Sequence, residues 1–189
     1  MEFIIEKAKD LRAFIYYQPI GWLIFEAVVM LVIWTIAMLL LRGKPKRVTA
    51  TAGAVMSLLL IISLTLVRHF SEEGFEINLI PLSSFYLAVE KPYYYRSMQL
   101  NIMLFLPLGL SLPFALPEKL RAKPVLTIGF AIILSVIIEC IQCAFKIGMC
   151  EIDDVIMNTL GAAIGTGSYL LVTMIRRKTN KRNNSTNPE

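Results

Sequence analysis

Long apolar runs recur along this chain, parted by short charged segments, and that pattern leaves little choice of environment. A bilayer core needs about 20 apolar residues in a helix, because unpaired backbone groups cannot stay in hydrocarbon. Ile20–Leu41 meets that length with Glu26 as its single charge. Ala50–Val67 is shorter and uncharged. Gln99–Leu116 is interrupted by Pro107, Gly109 and Pro113, and is expected to be a broken span. Val125–Phe145 carries Glu139, and Asp153–Ile175 completes the set. With 56% hydrophobic and 17% charged residues, a soluble domain is excluded. The expected fold is an all-α polytopic membrane bundle of about five transmembrane helices.

The basic residues give the direction. Arg42, Lys44, Lys46 and Arg47 lie in one connection, and Lys119, Arg121 and Lys123 in another. Arg176, Arg177, Lys178, Lys181 and Arg182 lie in the tail. The remaining cations are spread over much more chain. The positive-inside rule then places the C-terminus in the cytoplasm and the N-terminus outside. The net charge of +5 is therefore read as membrane orientation, and nucleic acid is excluded as a partner.

The organisation expected is fourfold. Residues 1–19 form an interfacial amphipathic segment, with no cleavable apolar leader among them. Residues 20–67 hold two helices. Residues 68–175 hold an outer loop and three helices. Residues 176–189 form a basic, disordered tail. Within the outer loop, residues 78–89 are too apolar to float in water and too short to span, and suggest a re-entrant or interfacial piece.

Ionisable groups in a span cost roughly 2.5–3.5 kcal/mol each on insertion scales, so each is a functional candidate. Glu26, Asn101, Glu139, Gln142, Asp153, Asp154 and Asn158 all fall in the outer halves of their spans. A compact bundle would gather them into one outward-facing polar cavity. Glu139 and Gln142 are neighbours at i, i+3. Asp154, Asn158, Gly161 and Gly165 share one face of the last helix, and the two glycines permit close helix packing. Asp153 points elsewhere, and capping explains it as well as function does. Asn101 and Asn158 also suit interhelical hydrogen bonding. Cys140, Cys143 and Cys150 read as small apolar residues, although Cys150 is near enough in sequence to pair with Cys143. No metal site and no cofactor is expected.

Several pieces together resemble the VanZ-like family of bacterial membrane proteins. They are NLIP at Asn78–Pro81, NxxxFxPLG at Asn101–Gly109, ExxQ at Glu139–Gln142, and EIDDVIMNTLGAAIG from Glu151 to Gly165. The chain departs from the pattern at Met149, where the family often has Arg, and at Glu151, where Asp is usual. The resemblance implies a cell-envelope role in the bacterial plasma membrane, with teicoplanin resistance as the founding association. Three functions fit. The first is a protein that binds membrane lipids, a lipid-linked cell-wall intermediate or a glycopeptide antibiotic at the outer leaflet. The second is an intramembrane enzyme in which Glu139 and Asp154 act as acid and base on a lipid-linked substrate. The third is a small transporter or flippase, which lacks the internal repeat common in such folds.

Overall fold

The computed structural model describes residues 20–66, 76–91, 93–146 and 149–186. The expected interfacial helix at 1–19 lies outside these residues. The described chain forms six helices and one pair of very short strands. The helices are α1 (Ile20–Leu40), α2 (Gly43–Leu66), α3 (Ser83–Glu90), α4 (Tyr93–Ala115), α5 (Lys123–Phe145) and α6 (Ile152–Thr186). The strands are β1 (Glu76–Asn78) and β2 (Met149–Glu151). The protein is an all-α bundle. Among the described residues, α2, α4, α5 and α6 are long and apolar enough to cross a membrane. The sequence reading has five such helices; the fifth is α1, an apolar helix of 21 residues with Glu26 as its single charge.

The helix starts follow local chemistry. Gly43 has φ +61°, a backbone conformation that suits glycine, and it reverses the chain between α1 and α2. Pro45 falls in the first turn of α2, where its missing N–H leaves no gap in the ladder. Helix α2 thus begins well before Ala50 and takes Lys44, Lys46 and Arg47 with it, so the basic connection is helical rather than a loop. Pro124 opens α5 in the same way.

Helix α4 corrects a second expectation. It is continuous from Tyr93 to Ala115 with Pro107 and Pro113 inside it, not broken. Neighbouring helices serve the carbonyls near the prolines. Trp34 Nε1 donates to Leu110 O at 2.8 Å. The Thr166 hydroxyl, bonded mainly to Ala162 O, lies 3.5 Å from Gly109 O, which is the carbonyl Pro113 cannot serve. Helix α6 corrects a third, since it continues as helix through the tail to Thr186.

Helices α4 and α6 form the centre. Added side-chain atoms at Gly161 or Gly165 would strike the backbone of α4 at Ile102, Leu106 and Leu110. One at Gly109 would strike the backbone at Ala162. Both helices advance four residues between the Ile102–Gly161 and Leu106–Gly165 contacts, so they run parallel. The buried core around Phe105, Leu108, Ala131, Ile138 and Ala162 fills the space between this pair, α2 and α5. A second cluster of Met38, Ala50, Phe114 and Val172 closes the end where α1 leads into α2.

Candidate polar site at the acidic end

One end of the bundle collects the close of α2, the start of α4, the close of α5 and the start of α6. Glu139, Gln142, Glu151, Asp153 and Asn158 are all buried there. Three residues on one face of α5 tie it to three other elements. The Asn158 amide of α6 donates to Ser135 Oγ at 2.9 Å. The Glu151 N–H of β2 donates to Glu139 Oε2 at 3.0 Å. The Gln142 amide donates to Thr65 O in the last turn of α2 at 3.3 Å. The spacing 135, 139, 142 is one helical stripe, so a single face of α5 holds this end together.

The 76–91 segment is held by Asp153, which is 1% exposed. Its carboxylate accepts the Leu82 N–H at 2.5 Å and the Ser84 N–H at 2.8 Å. These groups open α3, whose own preceding residue Leu82 offers no side-chain cap. Asp153 therefore acts as a cap supplied from another helix, with its charge at the positive end of α3. Leu82 has φ +63°, a left-handed conformation that disfavours a branched side chain, and the Asp153 bond holds it there. Asn78 prepares the turn, accepting the Ile80 N–H at 3.4 Å and donating to Ser83 Oγ at 2.8 Å. Strand β1 pairs in parallel with β2, Ile77 opposite Cys150 and Asn78 opposite Glu151. The segment suggested as re-entrant is thus a strand, a turn and a short helix. It exposes Leu79, Ile80, Phe85, Tyr86 and Val89.

Several amide groups in this region keep one polar atom without a protein partner. These atoms are Asn158 Oδ1, Gln142 Oε1 and Asn101 Nδ2, each on a side chain more than nine-tenths buried. An unpaired buried polar group costs about 1–3 kcal/mol, so such atoms mark a place for polar partners.

The remaining candidates are placed as follows. Asp154 is half-buried on the first turn of α6 and is engaged in a polar or ionic contact. Asn101 is buried on α4. Glu26 is exposed on α1, away from the buried cluster, because α1 packs through Trp34, Thr35 and Met38 near its other end. Gly161 and Gly165 serve the α4–α6 contact. Among the described residues, no group of three His, Cys, Asp or Glu side chains is arranged to hold a metal ion.

Sequence reasoning passed over four contributors. Arg96 was counted as a loop cation, yet it is buried and lies within α4. The parallel α4–α6 register places it level with the first turn of α6. Ser135 sits one turn from Glu139, a legible i, i−4 relation. Glu151 and Ser84 had no local signal, because only the β1–β2 pairing and the Asp153 cap bring them in.

Cys150 is buried against Glu139, with its thiol 3.8 Å from Glu139 O. Burial, with the Cys143 thiol beside it, pushes its pKa up to about 12. All three cysteines are free.

The sequence model of the VanZ/LLP1 family matches residues 25–173. The chain belongs to the VanZ/LLP1 family. A similar protein is Protein VanZ of Enterococcus faecium, 37% identical over 75 residues. That match covers 40% of this chain and 45% of the relative, so the chain spans about half the length of the curated relative it matches. No solved structure matches. The geometry gives the family's shared pieces physical roles. NLIP builds the turn that meets Asp153, and NxxxFxPLG supplies buried Phe105 and the Gly109 contact. ExxQ joins α5 to β2 and α2. The paired aspartates divide into a cap, Asp153, and a half-buried carboxylate, Asp154.

Proposed function

We propose that this VanZ-family membrane protein is a multi-pass protein of the bacterial plasma membrane whose acidic end lies at the outer leaflet. There it binds a polar part of a lipid-linked wall intermediate or of an amphiphilic glycopeptide, lowering susceptibility to teicoplanin-type drugs. The observation that carries this reading is the set of buried amide atoms of Asn101, Gln142 and Asn158 left without protein partners. They lie toward one end of the bundle with Glu139, while the basic cluster of Lys46, Arg47, Lys123 and Arg176 lies at the other. The positive-inside rule supports the orientation. The family resemblance supports the envelope role.

The test is expression in a susceptible Gram-positive host, as wild type, Glu139→Gln and Asn158→Ala, at matched membrane levels. The expected result is a severalfold rise in the teicoplanin inhibitory concentration for wild type, with vancomycin unchanged and both variants reduced. No change with any protein would sink the reading.

A second reading is intramembrane catalysis on a lipid-linked substrate. It is favoured by the burial of Glu139 one turn from the Ser135–Asn158 pair, with half-buried Asp154 near the surface. Turnover by purified protein that survives Glu139→Gln combined with Asp154→Asn would exclude it.

A further inference from the structure

The opposite end of the bundle is as strongly charged, with the other sign. Lys46 of α2, Lys123 of α5 and Arg176 of α6 surround an edge-to-face pair of rings, Phe114 and Tyr169, whose centroids are 5.2 Å apart. Lys46 Nζ lies 4.6 Å from the Phe114 centroid, and Lys123 Nζ 5.7 Å from that of Tyr169. Lys46 is within electrostatic reach of Arg176 and Lys123, and Lys123 is within reach of Arg47. Glu118 is the acid that acts on both lysines. Four cations against one carboxylate leave a surplus of positive charge. Lys123 is 6% exposed and donates one bond, to Leu116 O at 3.1 Å, which leaves further donor capacity.

Next to this cluster, one exposed face of α2 begins at Lys44 and Arg47 and continues over Val48, Thr51 and Val55. A basic cluster beside an exposed apolar helix face fits a ligand with an anionic head and a hydrocarbon tail.

We propose that the basic end binds an anionic phospholipid, with its phosphate held by Lys46, Arg47 and Lys123 and an acyl chain lying along the exposed face of α2 that Arg47, Val48, Thr51 and Val55 share. The aromatic pair fixes the two lysines from behind, so their ammonium groups are held in place before the lipid arrives. Arg176 strengthens the local field while its guanidinium stays bonded to α1. This site is independent of the polar cluster at the acidic end.

The experiment uses the full chain purified in a neutral detergent. Thermal unfolding and native mass spectrometry are followed during titration with phosphatidylglycerol, phosphatidylcholine or inorganic phosphate. Phosphatidylglycerol is expected to raise the Tm and to persist as a bound adduct, whereas the other two probes do neither. Arg47→Gln, an exposed change that leaves the fold intact, weakens the phosphatidylglycerol effect about fivefold. Lys46→Gln acts in the same direction, and Lys119→Gln, on the exposed connection, leaves it unchanged. The proposal is overturned if phosphatidylcholine matches phosphatidylglycerol, or if Arg47→Gln binds as well as wild type. It is overturned equally if phosphate alone reproduces the shift, or if this face of α2 is covered by a second copy of the chain, seen as a dimer insensitive to lipid.

Discussion

The two ends of this bundle solve one problem with opposite charges. At the acidic end, carboxylates take up backbone N–H groups: Asp153 those of Leu82 and Ser84, and Glu139 that of Glu151. At the basic end, cations take up backbone carbonyls. Arg176 Nη2 donates to Met38 O at 2.8 Å and Leu41 O at 2.6 Å, closing α1, and Lys123 caps the end of α4 through Leu116 O. Helix termini leave orphan N–H groups at one end and orphan carbonyls at the other. The protein satisfies both kinds with charged side chains from distant helices. The difference lies in what is left over. The acidic end keeps unpartnered amides, and the basic end keeps surplus cations on aromatic faces. The first suits a ligand with donors and acceptors; the second suits an anion.

The largest expected effect in testing this comparison is that of Asp153→Ala. It removes a buried acceptor of two backbone N–H groups and leaves Leu82 in a left-handed conformation without support. A loss of about 3–5 kcal/mol is expected, read as a lowered Tm and rapid proteolysis within residues 76–91. If stability barely changes, the cap reading is wrong.

Gly161→Val tests the scaffold shared by both ends. It drives side-chain atoms into the α4 backbone at Ile102, and a loss of about 1–3 kcal/mol or failure to fold is expected in thermal unfolding. Gly167→Ala on the same helix, where nothing lies within 4 Å, is the matched control and should be silent.

Arg176→Gln is the mirror of Asp153→Ala at the basic end. Losing charge-assisted bonds to the α1 carbonyls is expected to cost about 1.5–3 kcal/mol. It should loosen α1, seen as altered Trp34 fluorescence with the acidic end undisturbed. Equal disturbance at both ends would remove the distinction between them.

Glu139→Gln keeps an acceptor for Glu151 N–H and is expected to change stability by less than about 1 kcal/mol while reducing the proposed protection against teicoplanin. A large stability loss would make Glu139 a structural residue.

The smallest effect is chemical. A Cys150 pKa raised from 9.0 to about 12 means that the native thiol stays protonated well above neutrality. Alkylation of Cys150 in intact membranes is expected to remain slow through pH 9 and to become fast on unfolding. The sign for stability follows from linkage: the contribution is complete below the unfolded value and is lost as pH rises from about 9 toward 12.

The spans were legible because hydropathy and length decide them locally, and α5 and α6 begin within two residues of where their apolar runs suggest. Helix ends were less legible. Proline in α4 reads as a break from local rules, but the helix runs through both prolines, and Thr166, distant in sequence, stands at the Gly109 carbonyl that Pro113 cannot serve. The candidate site was readable where spacing carries it, as with Glu139 and Gln142. It was unreadable where the contact runs between elements. Nothing near Asp153 indicates that its carboxylate serves Leu82 and Ser84, and nothing near Arg96 indicates burial.

By itself, the sequence determined that this chain lives in a membrane, where its apolar helices lie, and that acids and bases separate along them. Those properties follow from side-chain transfer energies, which are local and additive. Tertiary structure alone decided which charged groups are structural and which polar atoms remain free. That choice depends on which orphan backbone groups come within hydrogen-bond reach, and reach is set by packing between helices far apart in the chain.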